Sequence, residues 1–150
     1  MKDIRIQTEP FDPCEIQQGL SAGNPGVGAV VSFLGLMRDM NAGDEVSAMT
    51  LEHYPGMTER ALHAIVDEAL GRWDLLGVRL VHRVGTLGPG DPIVLVAVAS
   101  AHRGEAFRAC EFIIDFLKTR APFWKREETP AGGRWVDARH TDDEAERRWG

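Results

Sequence analysis

At 150 residues, 43% hydrophobic and 27% charged, with formal net charge -6, the chain has the make-up of one globular domain rather than of a disordered or fibrous protein. The acidic balance argues against a general nucleic-acid binder, which would carry a basic stripe over a whole face. Cys14 and Cys110 lie far apart and form no CxxC pair, so neither a disulfide framework nor a zinc site is indicated. The opening "MKDIRIQTEPFDP" has no apolar signal region and no later run is long enough to span a bilayer, which reads as cytoplasmic.

In chain order, "IRIQTE" alternates apolar and polar residues as a half-buried strand does. "FDPCEIQQGL" carries a helix start, with Asp12 as N-cap, Pro13 in the first turn and Glu15 at the capping-box position. A strand is predicted over Val27 to Leu34, where the small residues Gly28 and Ala29 allow another backbone to come close. "RDMNAGDE" reads as a polar loop, Val46 to His53 as a strand, and Gly56 to Trp73 as the first long helix. Met57, Ala61, Ile65 and Ala69 recur on one face of that helix. Val78 to Val84 alternates again before the turn "GTLGPGDP". Ile93 to Ala101, "IVLVAVASA", is almost continuously apolar, the mark of a strand covered on both faces. A second long helix is predicted over 104–119, with Ala106, Phe107, Cys110, Ile113, Ile114 and Leu117 as its apolar stripe, ended by Pro122. "FWKREE" and "RWVDAR" flank the turn signal "TPAGG" as a closing hairpin, and the charged tail is either helical or frayed. The expectation is a single α+β domain spanning residues 1–150.

The chemistry-bearing candidates are basic. His102 and Arg103 fall between the buried strand and the second long helix, where free backbone N–H groups favour an anion; the plainer alternative is a helix cap beside a solvated arginine. Lys118 lies in the last helical turn, where the dipole welcomes a cation, yet on the flank of the apolar face, where partial desolvation would suit acid–base work. By strand alternation Lys125 points opposite to Trp124 and Arg126. Arg38 ends "SFLGLMR" just past a strand. His82 shares its strand face with Val78, Leu80 and Val84 and reads as a core or interface histidine, while His53 would cap or pack near a helix start. The residues by themselves describe a basic, aromatic-walled place for a small anion, and name no reaction.

Taken in order, "FLGLMR", "LEHYPGMTE", "HRVGTLGPGD", "SAHRGEAF", "DFLKTRAPFWKRE" and "RWVDAR" resemble the large, catalytic subunit of molybdopterin synthase, the MoaE family, over almost the entire chain. Met37 stands where that family more often has a smaller branched residue. The resemblance implies an α+β protein of the α/β-hammerhead type with an added small antiparallel β subdomain, forming a homodimer within a heterotetramer. It implies a small ubiquitin-like partner whose C-terminal Gly-Gly thiocarboxylate threads into the large subunit and gives its sulfur to cyclic pyranopterin monophosphate, with no metal and no cofactor. By motif, Lys118 and Lys125 are the catalytic pair. Leu36, Met37, Arg38, His102, Arg103, Arg126 and Glu127 join them at the substrate, and Arg139 is implied to reach a neighbouring pocket across the dimer. A rival expectation is a non-catalytic module that binds a phosphorylated metabolite or an acidic peptide tail.

Overall fold

The computed structural model describes the backbone of residues 1–136 and 140–150, and the side chains of these apart from 140–142. The elements, in order, are β1 (Lys2–Gln7), α1 (Pro13–Ser21), β2 (Ala29–Leu36), β3 (Met40–Asn41), β4 (Asp44–Glu45), β5 (Ala48–His53) and α2 (Met57–Arg72). They continue with β6 (Gly77–Arg83), β7 (Gly85–Leu87), β8 (Pro92–Ser100), α3 (Arg103–Arg120), β9 (Phe123–Thr129), β10 (Gly132–Val136) and α4 (His140–Arg147). This is an α+β fold, as the sequence leads one to expect. Among the described residues no helix is long and apolar enough to cross a membrane.

The first sheet has the order β1-β6-β8-β2. β1 runs parallel to β6, and the other two pairings are antiparallel. β8 is central and its residues from Val94 to Ser100 are buried, which accounts for its unbroken apolar run. One face carries α2 and α3 over a core of Leu62, Val66, Val78, Leu80, Val96, Phe112 and Ile113. α1 covers the other through Leu20, against Ala97 and Ala99. Its start is built as its residues dictate: the Asp12 carboxylate accepts from the backbone N–H of Cys14 at 2.9 Å and of Glu15 at 3.4 Å. A Cβ at Gly28 would run into the carbonyl oxygen of Ala101, so the close backbone approach expected there is present.

The second sheet, of order β10-β9-β5-β7, is antiparallel throughout. It has a smaller core of Met37, Val46, Met49, Leu51 and Leu87. The hairpin of β9 and β10 forms around the predicted turn, although Asp137 to Arg139 of "VDAR" lie outside the described residues.

Three expectations are corrected. "RDMNAGDE" is not a simple loop: β3 and β4 pair across Ala42 and Gly43, whose φ values of 52° and 83° fit a two-residue hairpin turn. On α3, Phe107 is 60% exposed, whereas Ala109, Phe112 and Phe116 are buried. The helix packs on both the sheet and α2, so its buried arc is wider than the stripe and rotated away from Phe107. On α2, Met57 is exposed and Leu62 and Val66 take its place in the core, for the same reason.

Candidate active site

A cavity of about 500 Å³ opens where the two sheets and the end of α3 meet. Its walls come mainly from three places, joined by Met49 and Leu51 of β5 and Ile93 of β8. The end of β2 gives Leu36, Met37 and Arg38; the last turn of α3 gives Leu117, Lys118 and Thr119; and β9 gives Phe123, Lys125 and Glu127. Met40 and Asn41 of the hairpin, and Val136 of β10, close the rim.

Alternation along β9 sorts its side chains. Phe123, Lys125 and Glu127 face the cavity, and Trp124 and Arg126 face away. Arg126 therefore does not line this cavity, whereas the resemblance implied a place for it at the substrate. Its guanidinium pairs with Glu128 at 3.2 Å and lies 5.9 Å from the ring centre of Trp135, on the outer face of the sheet. Lys118 is exposed and Lys125 half-buried, and both bring their chains to the same space from different elements.

Glu127 is 5% exposed, and a carboxylate so placed needs donors. It has them in Asn41 Nδ2, at 2.9 and 3.1 Å from its two oxygens, and in Arg134 Nε and Nη2, both at 3.3 Å. Arg134 also donates to Asp44 at 2.6 Å and to the Asn41 carbonyl at 3.1 Å. Glu127 thus braces the cavity wall by tying the small hairpin to the second sheet. Nothing in the sequence marks Asn41 or Arg134 for this role; the one available signal is the Ala-Gly pair that turns the hairpin and brings Asn41 and Asp44 to Arg134.

Behind the cavity, His82 is buried and its ring stacks on Phe123 at 3.9 Å between centroids and 14° between planes. Its Nδ1 lies 2.8 Å from the carbonyl oxygen of Arg83. Burial lowers its pKa to about 4, against the raising effect of that hydrogen bond; Lys118, Lys125 and His53 push the same way as burial. The imidazole is therefore neutral and donates from Nδ1, the core histidine that the sequence suggested. His53 sits near the start of α2 with its Nε2 3.5 Å from Glu59 Oε1.

His102 and Arg103 do not line this cavity. They occupy the first end of α3 and Lys118 the last, and at 1.5 Å per residue roughly 22 Å of helix separates them. Both are exposed. Arg139 lies outside the described residues. Cys110 is buried, with its thiol pushed up to about 12 chiefly by that burial, and Cys14 is exposed on α1. Among the described residues no three His, Cys, Asp or Glu side chains are grouped to hold a metal ion.

Fold and site together define an α+β protein with a two-lysine cavity set between its sheets. A family model described as "MoaE protein" matches residues 6–120. The molybdopterin synthase catalytic subunit of Escherichia coli (strain K12) is 63% identical over 146 residues, 97% of each chain. That of Ralstonia nicotianae is 61% identical over 150 residues, the whole of this chain and 85% of the relative. Among solved structures, the molybdopterin biosynthesis MoaE protein from Burkholderia ambifaria MC40-6 superposes with a TM-score of 0.85 at 56% identity, covering 100% of this chain and 99% of that one. The chain belongs to the MoaE family.

Proposed function

We propose that this chain is the catalytic subunit of a molybdopterin synthase. It transfers sulfur from the C-terminal thiocarboxylate of a small ubiquitin-like partner to cyclic pyranopterin monophosphate in the cytoplasm. The observation that carries this reading is the convergence of Lys118 and Lys125, from a helix end and a strand, on one cavity of about 500 Å³. Such a volume suits a small heterocycle together with a chain terminus. Both are anionic, and two ammonium groups can hold and orient them.

Lys118, at the exposed side, receives the partner's tail and balances the charge on its thiocarboxylate. Entry of the tail excludes water and strengthens that interaction. Lys125, deeper on β9, moves protons at the substrate and assists opening of the cyclic phosphate. Arg38 holds the phosphate, with Leu36 and Met37 as the apolar wall beside it. Each transfer delivers one sulfur and leaves the partner's end as a carboxylate, the oxygen coming from water. No metal takes part. In a homodimer, His102 and Arg103, too far along α3 to serve their own cavity, complete the substrate site of the second copy, and Arg139 acts in the same sense.

Reconstitution tests the reading. This chain, mixed with a Gly-Gly-ended partner carrying a thiocarboxylate, should convert the substrate, while the chain alone should not. Lys118→Ala should lower the transfer rate by at least about a hundredfold with fold and partner binding retained. Wild-type turnover by that variant would remove Lys118 from the catalytic assignment, and no conversion by the reconstituted wild-type complex would return the chain to the class of non-catalytic anion binders.

A further inference from the structure

The C-terminal residues are held more firmly than a charged tail requires. Trp149 Nε1 donates to Asp115 Oδ2 at 2.7 Å, and Arg148 Nη2 donates to the same oxygen at 3.1 Å. Arg148 also pairs with Glu111 at 2.8 Å. The Trp149 ring packs edge-on against Trp73 and Phe112, with centroids at 5.8 and 5.5 Å, and its carbonyl accepts from Arg72 at 3.0 Å. Asp115 itself is 9% exposed and sits in the last third of α3, where the helix dipole disfavours an acid. Its place there is explained by what it holds.

A second attachment lies one turn further on. Thr119 lines the cavity and its hydroxyl donates back to the helix carbonyls of Phe116 at 3.4 Å and Asp115 at 3.5 Å; the Glu146 carboxyl, near the Thr119 hydroxyl and paired with Arg120, is held below its ordinary range. Arg120 Nε reaches Glu146 at 3.2 Å and its guanidinium covers the Phe116 ring at 4.1 Å. In the chain, Lys118 stands between the two attachment points, Asp115 and Arg120.

The last turn of a helix frays unless something outside it holds it. The turn that carries Lys118 ends in Ala121, with neither a glycine cap nor a polar one. We propose that the segment from Glu146 to Trp149 is a strap that positions Lys118, acting through Asp115 and Arg120 on the end of α3. The proposal rests on the catalytic reading of Lys118 given above. It makes Trp149 and Asp115 positioning residues, about one helical turn away from the reacting atoms.

The test uses the reconstituted full-length complex with Trp149→Phe, which keeps a ring but loses the N–H donor, and the isosteric Asp115→Asn. Amide hydrogen exchange of residues 116–120 should quicken about tenfold in each variant. In each, kcat should fall about tenfold, with KM and partner affinity within about twofold, because geometry is lost rather than binding. If the two residues act through one bond, the double variant should be no worse than the worse single one. Unchanged exchange would overturn the strap. Faster exchange with wild-type kcat, or a loss confined to KM, would overturn its positioning role. Lys118→Ala is measured beside them: normal turnover there removes the function of the lysine itself, whereas the exchange data judge the strap separately.

Discussion

Replacing Glu127 with alanine should loosen the cavity wall by an amount that the contacts bound. The carboxylate is 5% exposed and accepts from Asn41 at 2.9 and 3.1 Å and from Arg134 at 3.3 Å. Hydrogen bonds to a charged group contribute about 1.5–3 kcal/mol. The 3–5 kcal/mol typical of a broken buried ion pair is too much here. Arg134 keeps Asp44 at 2.6 Å and the Asn41 carbonyl at 3.1 Å, and so is not stranded. The expected loss is about 2–3 kcal/mol, a fall in Tm of about 5–10 °C for a chain of this size. Glu127→Gln, which keeps an acceptor and loses the charge, should lose about half as much. Thermal melts followed by circular dichroism give the first number. Urea titrations at constant m-value check that stability rather than compactness has changed. Amide exchange of residues 40–45 should rise in parallel, because the hairpin loses its tie to β9. An alanine variant melting within about 2 °C of the parent would refute the bracing argument.

His82 makes stability depend on pH. Its pKa is near 6.5 unfolded and about 4 folded, so below pH 6.5 the unfolded chain binds the extra proton and stability falls until about pH 4. The loss is about 3 kcal/mol; His82→Phe should flatten the urea-derived profile over that window, and an unchanged slope would contradict the assignment. Lys125→Ala should lower the transfer rate at least about a hundredfold, while Arg126→Ala, on the far face of the same strand, should keep it within about threefold; equal losses in a steady-state assay would defeat the argument from alternation. Cys14→Ala combined with Cys110→Ala should leave sulfur transfer intact at a cost of about 1 kcal/mol for the buried thiol, since a thiol with a pKa of about 12 is no nucleophile at neutral pH. A folded but inactive double variant would mean that sulfur passes through this chain.

What could be read from the sequence depended on how local its cause was. The two long helices and the buried run of β8 are visible because length and apolar pattern are properties of the segments themselves. The rotation of α3 is not. Whether Phe107 or Phe112 faces inward depends on α3 packing against α2 and the sheet at once, and the 3.6-residue period fits either arc. The hairpin of β3 and β4 was hidden by its polar residues, because the ties that hold it, Asn41 to Glu127 and Asp44 to Arg134, join positions far apart in the chain. At the site, alternation sets Lys125 opposite to Trp124 and Arg126, as the structure has it; only the resemblance places Arg126 at the substrate. Likewise the length of α3 alone separates Arg103 from Lys118. The tail reads as either helix or frayed coil from its own residues because the contacts that hold it, Trp149 and Arg148 to Asp115, join it to a distant position on α3.

The strand order β1-β6-β8-β2 also sets a timetable for synthesis. β2, with the sequence AVVSFLGL, pairs with β8 alone, in a register that joins Ala29 to Ser100 and Phe33 to Val96. The strand at the opposite edge, β1, must wait for β6. Until residues 92–100 have left the ribosome, an apolar strand with both edges bare trails from the growing chain. At about 5–20 residues per second that interval lasts several seconds, long enough for a strand edge to find the wrong mate. A chaperone that shields residues 29–36 during that interval would act on yield and leave the stability of the finished protein untouched.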